Sequence, residues 1–406
     1  MAVKLKRILF FAEAVTLAHL SRCITLSEGL FKTGRYTVCL AADDRYDAII
    51  GDIPFQRLAL KSVASAIFFK KLAKGVSLYD VKTLTAYVEE DVKIIDSFKP
   101  DFIIGDFRLS LAISCQLKKI PYATITNAYW SPYADIDYPI PEIPLTNIVG
   151  VAMAQKLFDW FRPVVFAIHS LAFNKTCKKF GLPPFSYDMR DIYTHADFTL
   201  YADMKSIIPM KPYPDNHVFI DPVLWSADVA LPTWWDDLPD DKPIVFISLG
   251  SSGDGKNLPV LLQALSTMPV TVIAVTASKS KVEHTHPNCF LAEFLPAEIA
   301  VKKADIVICN GGSPMVYQTL LENKALLGIP GNLDQYLMMG IIKSANRGEY
   351  IRSGQLQVKK VQSAVQQLLL HRKKNPSFYK GEQENKSPDA LEKIESLIQA
   401  ACQNTK

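Results

Sequence analysis

A histidine near the start of the chain and a later acid have the side chains needed for proton transfer. His19 lies where a loop meets an amphipathic segment, and an imidazole that ionises near neutral pH suits a general base. Asp106 follows the apolar run Phe102–Ile104, at the carboxyl end of a predicted strand. If both residues follow parallel strands, the carboxylate can bond one imidazole nitrogen and make the other more basic. We therefore predict a catalytic dyad of His19 and Asp106, with Asp101 as the alternative acid and a surface or capping histidine as the structural alternative.

Two turns in the second half of the chain have the composition of an anion site. The first is Ser248–Gly253, where glycine lets backbone N–H groups approach an anion and small hydroxyls add donors. The second is Asn310–Ser313, where a strand, a glycine pair and a helix start would place an anion at the positive end of the helix dipole. Ordinary strand–helix turns are the structural alternative for both. The residues that we assign to anion binding here are Gly250, Ser251, Asn310, Gly311, Gly312 and Ser313.

A third turn pairs a carboxylate with an amide. Asp334 and Gln335 come shortly after the predicted strand Ala325–Ile329, which is the next strand after the glycine pair. A carboxylate accepts hydrogen bonds and an amide both donates and accepts, so together they can bind neighbouring sugar hydroxyls. Their position after that strand therefore predicts a sugar site.

The elements that must position these residues alternate as strand and helix. Lys6–Phe11 predicts a strand, the apolar spacing from Leu20 to Leu30 predicts a helix, and Tyr36–Ala41 predicts the next strand. This rhythm is typical of the βαβ unit of a parallel sheet. The same rhythm begins again at Pro243. We therefore predict an α/β protein with two Rossmann-like, doubly wound domains that face a central cleft, with ligands beyond the carboxyl ends of the strands.

The length of 406 residues suits two domains. We predict an N-terminal domain over residues 1–222, a linker over 223–242 and a C-terminal domain over 243–385. The linker follows from the stretch Pro209–Lys242, which is rich in proline and tryptophan and lacks both strand and helix periodicity. Residues 386–406 contain a helix that we expect to pack back on the N-terminal domain.

These motifs resemble the donor half of the UDP-glycosyltransferase-like family, which includes natural-product glycosyltransferases of the GT-B fold. The resemblance rests on Ser248–Ser251, Asn310–Gly312 and the Gly-Ile-Pro run before Asp334 and Gln335. It implies that the C-terminal domain binds a UDP- or dTDP-sugar donor through these turns, with the glycine pair and Ser313 near the diphosphate. It also implies that the N-terminal domain binds the acceptor. It also implies that Leu295, in Phe-Leu-Pro, lies against the nucleotide base. The family needs neither a metal nor another cofactor, so we expect none.

Two departures from the family pattern affect the phosphate site. Asn310 stands where the family usually has histidine, and Pro314-Met315 stands where Gly-Thr is common. Proline has no N–H and methionine has no hydroxyl, so both changes remove donors. A non-catalytic relative that acts as a binding or partner protein therefore stays an alternative to an enzyme. A nucleotide-sugar epimerase of the same fold is a second alternative.

The acceptor side has aromatic and apolar residues. Asn127, Tyr129 and Trp130 follow a predicted strand and could line an acceptor pocket, although core packing explains them nearly as well. The apolar segment Ile148–Phe173 carries charges and Pro163, which argues against a transmembrane helix. A core or pocket-wall helix is the simpler interpretation, and a surface for a membrane or an apolar substrate is the alternative. We expect a small, partly apolar acceptor.

Composition and motifs argue against nucleic-acid-binding, zinc-binding and secreted proteins. The net charge of +4 is spread along the chain, and the basic run at residues 371–374 is typical of a solvated helix end rather than a nucleic-acid site. The seven cysteines form no CxxC pair and no zinc spacing. The N-terminus lacks the features of a signal peptide. We therefore expect a cytoplasmic enzyme, with peripheral membrane contact as an option, and the sequence gives no oligomeric state.

Overall fold

The computed structural model describes residues 5–250, 252–277, 286–375 and 390–403. These residues form two compact units. Unit 1 comprises the described residues of Met1–Asp135, Ala152–Trp225 and Lys386–Lys406, and unit 2 comprises those of Ile136–Val151 and Ser226–Asn385. Each unit is built on one sheet in which every paired strand is parallel to its neighbour. The predicted α/β class, with a parallel sheet in each half of the chain, is confirmed.

The sheet of unit 1 has seven described strands in the order β3-β2-β1-β4-β5-β6-β7. Its strands are β1 Lys6–Ala12, β2 Tyr36–Ala42, β3 Gln56–Ala59, β4 Phe102–Asp106, β5 Tyr122–Thr126, β6 Phe198–Tyr201 and β7 His217–Phe219. Its helices are α1 Leu17–Lys32, α2 Asp47–Ile50, α3 Ser65–Lys74, α4 Val81–Phe98, α5 Leu111–Lys118, α7 Val151–Lys179 (from its second residue), α8 Met189–Tyr193 and α14 Ala390–Gln403.

Side chains alternate across the sheet of unit 1 and fill a core on each face. Ile8 and Phe10 of β1 belong to the core that also contains residues of α1 and of α14. Leu9 and Phe11 belong to the opposite core, which includes the end of α4. The C-terminal helix thus packs on the first sheet, with Ile394 and Ile398 fully buried there.

Unit 2 has six described strands in the order β10-β9-β8-β11-β12-β13. They are β8 Ile244–Ser248, β9 Thr271–Val275, β10 Cys289–Ala292, β11 Ile306–Cys309, β12 Ala325–Gly328 and β13 Glu349–Tyr350. The helices of this unit are α6 Pro144–Val149, α9 Asn257–Ser266, α10 Ala297–Lys303, α11 Ser313–Leu321, α12 Leu333–Ser344 and α13 Val358–Lys374. Because β8, β11 and β12 are neighbours, the loops after these three strands emerge side by side.

One strand lies where the sequence shows no periodicity. β7 falls inside the stretch Pro209–Lys242 that we expected to be a connection, and it pairs with β6 at the edge of the first sheet. The strand has three residues, of which only Phe219 is buried. Such a short edge strand has too few alternations to produce a sequence pattern.

A buried ionic network ties together the loops that follow β1 and β4. Arg108 has no exposed side-chain surface, and its guanidinium donates to Glu13 at 2.9 Å and to Asp91 at 3.0 Å. Tyr87 donates a further hydrogen bond to Glu13 at 2.8 Å, and Arg108 stacks over the Tyr87 ring. Burial raises the pKa of both carboxyl groups, although the charge of Arg108 opposes that rise. The loop before α1, which carries His19, and the loop after Asp106 are therefore fixed by charge pairing as well as by the sheet.

We predict that Arg108→Met destabilises the protein by about 3–5 kcal/mol, because the change leaves two buried carboxyl groups without their cation. The free energy of unfolding, measured by urea denaturation, checks this. Arg35→Met is the matched control, since Arg35 pairs with Glu395 but is mostly exposed, and it should cost less than about 1 kcal/mol.

The same variant has a predicted pH dependence. The pKa of each carboxyl group is already raised in the folded state, so the folded state binds protons more tightly and stability falls as the pH rises through that pKa. Loss of Arg108 strengthens this effect. The deficit of Arg108→Met should therefore grow from about pH 5 to about pH 8, and a deficit no larger than that of Arg35→Met at every pH would contradict the network's role.

Candidate active site

The parallel pairing of β1 with β4 brings His19 and Asp106 together. Ala12 is the partner of Asp106 in the register, so the loop after β1 and the end of β4 share one edge of the sheet. His19 lies in the first turn of α1, and its Nδ1 is 2.8 Å from Asp106 Oδ1. Asp106 is fully buried, whereas about a fifth of the His19 side chain (20%) is exposed. The geometry expected of the two residues is therefore present.

Arg22 is a third member of this site that the sequence did not single out. It lies one helical turn after His19, and its Nε and Nη2 donate to the two oxygens of Asp106 at 2.7 and 2.8 Å. Burial disfavours its charged form, but the charge and hydrogen bonds of Asp106 outweigh burial and raise the pKa of Arg22 above its ordinary range. The spacing of three residues on one helix face was the available signal.

The position of Arg22 limits what Asp106 can do for His19. Asp106 Oδ1 is shared by both side chains, and Arg22 Nη2 lies 3.2 Å from His19 Nδ1. The carboxylate is thus already balanced by one fixed positive charge. It holds the imidazole in place and favours the tautomer with the proton on Nδ1, which leaves Nε2 as the acceptor.

Asn127, which we predicted to bind the acceptor, is part of the same network. Its amide oxygen accepts from Arg22 at 3.1 Å, and its amide nitrogen donates to the buried Asp203 at 2.7 Å. Asp203 also accepts from the backbone N–H of Ala128. The amide of Asn127 therefore orders the end of β5, and its acceptor contact stays a prediction.

An aromatic cluster, formed by Phe68, Phe107, Trp130 and Tyr193, adjoins His19. The ring of Phe107 stacks on the imidazole with centroids 4.8 Å apart and planes 7° apart. Phe107 has a φ of 57°, which is unusual for an aromatic residue and turns its ring under His19. Tyr193 contacts both Phe107 and Trp130, and Phe68 meets the edge of Phe107. Trp130 is partly exposed here, whereas Tyr129, the other predicted acceptor residue, is completely buried.

In unit 2, three loops are joined by the hydroxyl of Ser252. Asn310, after β11, donates its amide to Ser252 Oγ at 2.8 Å. Gln335, after β12, donates to the same oxygen at 3.4 Å. Gly250 has a φ of 62° and lies close enough to Asn310 that an added Cβ would be 3.8 Å from its amide nitrogen. The predicted turn Ser248–Gly253 includes Ser252, but we did not assign Ser252 a binding role from the sequence. Ser251, which we did assign, lies outside the described residues.

The glycine pair forms the entry to α11 as predicted from the sequence. Gly312 is the residue before the helix and Ser313 is its first residue, with Pro314 in the first turn. Asn310 Oδ1 accepts the N–H of Gly312 at 3.1 Å, so the asparagine shapes this turn. Gly311 has a φ of 83°, and a Cβ there would meet Met339 Cγ at 2.6 Å.

Asp334 and Gln335 lie in the first turn of α12. Gln335 is buried and closes a capping box with Asn332: the Asn332 side chain accepts the N–H of Gln335 at 3.2 Å, and the Gln335 amide oxygen accepts the N–H of Asn332 at 3.4 Å. The same amide oxygen also accepts the N–H of Gly331 at 2.9 Å. Asp334 is partly exposed at the same end of the helix. Leu295 is buried in the loop after β10, at the edge of the sheet. The sugar and base contacts of these residues stay predictions.

Among the residues that the structure describes, no group of three or more His, Cys, Asp or Glu side chains is placed to hold a metal ion. Across those same residues, no helix is both long and apolar enough to cross a membrane.

The comparison with curated proteins shows close relatives, although no family model matches the chain. The chain is 41% identical over 364 residues to a PGL/p-HBAD biosynthesis glycosyltransferase of Mycobacterium tuberculosis, with 90% of this chain and 85% of the relative covered. It is 41% identical over 369 residues to a PGL/p-HBAD biosynthesis rhamnosyltransferase of Mycobacterium bovis, with 91% and 82% covered. A shorter match, 42% identical over 260 residues, is to an inactive PGL/p-HBAD biosynthesis glycosyltransferase of Mycobacterium bovis.

Solved structures share the fold at low sequence identity. The spinosyn forosaminyltransferase SpnP matches with a TM-score of 0.69 at 14% identity, covering 98% of this chain and all (100%) of that one. The spinosyn rhamnosyltransferase SpnG matches with a TM-score of 0.68 at 14% identity, covering 96% and 99%. The fold and the site thus define a glycosyltransferase of the GT-B class, as the resemblance in the sequence predicted. The chain belongs to the family of PGL/p-HBAD biosynthesis glycosyltransferases.

We predict that Gly311→Ala destabilises unit 2 by about 1–3 kcal/mol, because alanine must adopt a left-handed conformation there and its Cβ would collide with Met339. The free energy of unfolding measures the effect. Gly340→Ala is the control, since this glycine lies inside α12 with no atom closer than 3.5 Å to an added Cβ. Equal stability of the two variants would contradict the constraint at Gly311.

Proposed function

We propose that the protein transfers a sugar, with inversion, from a UDP- or dTDP-sugar to a hydroxyl of a small, partly apolar acceptor. The observation that carries this proposal is the 2.8 Å contact of His19 with the buried Asp106, beside an aromatic cluster, in a chain of this family. His19 Nε2 takes the proton of the acceptor hydroxyl as its oxygen attacks the anomeric carbon. The bond from that carbon to the diphosphate breaks, and the nucleoside diphosphate leaves with the electron pair.

The donor would lie at the loops after β8, β11 and β12. The N-terminus of α11 and the glycine-rich turns supply the partial positive charge that a leaving diphosphate needs, without a metal or another cofactor. Two structural neighbours support a thymidine donor, since VinC was solved with dTDP and SpnG with thymidine diphosphate. We keep UDP as the alternative, because nothing in the described loops distinguishes the two bases.

The acceptor would lie against the aromatic cluster. One of its rings, Phe107, stacks on the His19 imidazole, and Tyr193 and Trp130 extend the aromatic surface from there. Such a surface can stack against an apolar or aromatic molecule. A rhamnosyltransferase of similar fold, SpnG, was solved with the spinosyn aglycone. A rhamnosyltransferase is also among the curated relatives, so rhamnose belongs among the sugars to be tested.

The two other functions that the sequence left open are separated by the same assay. An inactive relative that matches at 42% identity keeps a non-catalytic binding protein open. For such a protein the nucleotide would raise the melting temperature, yet no donor would be consumed. An epimerase would consume donor without any acceptor.

The test combines nucleotide binding with an acceptor screen. We expect UDP or dTDP to raise the melting temperature, and UDP-glucose, dTDP-glucose or dTDP-rhamnose to give a glycosylated acceptor by mass spectrometry. EDTA should not reduce the rate. If neither nucleotide stabilises the protein, the donor proposal fails.

We predict that His19→Ala lowers kcat by about 10²–10⁴-fold, because the general base is lost, while nucleotide binding is unchanged. Steady-state kinetics and thermal shift measure the two effects separately. His371→Ala, on α13 of unit 2, is the control and should transfer at the rate of the unchanged protein. Undiminished transfer by His19→Ala would remove the histidine from the mechanism.

Arg22 gives a further prediction because its charge lies beside the imidazole. Arg22→Met removes that charge and leaves Asp106 to act on His19 alone, so the acid limb of the pH–rate profile should move to higher pH. Arg22→Lys keeps the charge and should shift the limb less, although it loses the paired hydrogen bonds. If neither variant shifts the pH–rate profile from that of the unchanged protein, Arg22 has only a structural role.

A further inference from the structure

Helix α7 presents an apolar stripe to solvent that no described residue covers. Its members are about half exposed or more, with one exception at 40%, and Trp160 reaches 76%. They recur every three, four or seven residues and so lie on one face of the helix. The stripe residues are Met153, Trp160, Val164, Ile168 and Leu171.

The opposite face of α7 is packed inside unit 1. Phe166, Phe173 and Cys177 are buried there. Phe173 and His169 border a cavity of about 30 Å³ whose other walls include Tyr193, a member of the aromatic cluster. The helix therefore has apolar residues on both faces. The inner ones are covered by unit 1, and an exposed apolar surface of this kind often marks a site of interaction.

Basic residues continue the stripe along α7 and are frequent on the neighbouring helix α3. Lys175 and Lys178 continue the line of the stripe beyond Leu171, one and two turns further along the helix. The helix α3 lies next to α7, since His169 Nε2 is 3.3 Å from the carbonyl of Gly75 at the end of α3. Together α3 and α7 carry the basic side chains Lys70, Lys71, Lys74, Lys156, Arg162, Lys175, Lys178 and Lys179.

The charge of this surface differs from that of the rest of the chain. The only acid within α3 and α7 is Asp159, which accepts a hydrogen bond from Gln155. These two helices are thus more positive than the whole chain, whose net charge is +4. Lysine is depleted in protein–protein interfaces, whereas a tryptophan-bearing apolar face with lysine flanks is typical of helices that lie in a lipid interface.

We propose that the outer face of α7 lies on an anionic lipid bilayer, with Trp160 in the interface and the lysines against the headgroups. The helix would lie on the membrane and would not cross it, because charged residues and Pro163 interrupt its apolar sequence. Flanking lysines bury their stems and keep their charges among the phosphates. The proposal rests on this surface alone and does not depend on the donor, the acceptor or the role of His19.

Flotation with vesicles tests the proposal on the full chain. We expect the protein to float with phosphatidylcholine vesicles that contain phosphatidylglycerol, to bind phosphatidylcholine alone far more weakly, and to be released by salt. Trp160→Glu should weaken binding by at least about tenfold, because it removes the indole and adds a charge facing the lipid. Leu370→Glu is the control, since Leu370 is 56% exposed on α13 of unit 2.

Two double variants test how much the lysines contribute to vesicle binding. Lys175→Glu with Lys178→Glu should reduce affinity for the anionic vesicles by about 25-fold or more, at roughly fivefold for each lysine lost. Lys359→Glu with Lys360→Glu makes the same charge change at exposed positions of α13 and should leave binding nearly unchanged. Circular dichroism melts confirm that each variant is folded.

Tryptophan fluorescence tests whether the outer face of α7 lies against the lipid. Lipids brominated in their acyl chains should quench the tryptophan emission, and Trp160→Phe should abolish most of that quenching while flotation persists. Failure of the unchanged protein to float with anionic vesicles at low salt overturns the proposal. So does a Trp160→Glu variant that floats normally but sediments as a smaller species without vesicles, because the stripe would then be a contact between copies of the chain.

Discussion

The buried carboxylate of Asp106 is the constraint on which the arrangement of the first unit depends. A carboxylate without exposed surface is strongly unfavourable unless it is paired and fully hydrogen-bonded. Arg22 supplies the pairing with two hydrogen bonds, and the same guanidinium reaches Asn127, which in turn holds Asp203. The ends of β4 and β5 and the first turns of α1 are thus fixed by one charge. His19 is oriented because it shares an oxygen that is already fixed.

In the second unit, side-chain hydrogen bonds connect the polar residues that follow β8, β11 and β12. Asn310 accepts the N–H of Gly312, Gln335 closes the capping box of α12, and both donate to Ser252. The amide of Asn310 both donates and accepts, so it orders the turn at Ser252 and the start of α11 at once. Unlike the histidine that is usual in the family that the sequence resembles, this amide stays neutral at every pH.

The fold was predictable from the sequence to the extent that its strands are long and buried. The strand predicted before Asn127 is found as β5, and β1 and β2 each extend one residue beyond their predicted ends. β7 was not predicted, because it has three residues and lies at an edge. The contact of His19 with Asp106 followed from parallel strands, whose carboxyl ends meet in any such sheet. The spacing from His19 could have suggested that Arg22 faces the same site, but spacing alone does not show that its guanidinium reaches Asp106. The role of Phe107 depends on a left-handed φ that no residue pattern encodes.

The packing of α7 could not be predicted from its sequence either. The helix has apolar residues on both faces, so periodicity could not separate a core helix from a surface one. The structure separates them by packing: Phe166 and Phe173 face the core, and Trp160 and Ile168 do not. The inner face borders the aromatic cluster beside His19, and the outer face meets the surroundings of the protein. For the partly apolar acceptor that we propose, a helix with one face toward the aromatic cluster and the other toward lipid would shorten the path through water. The exposed apolar stripe is unfavourable in water and becomes favourable where lipid replaces water, which is the physical reason for the membrane contact that we propose.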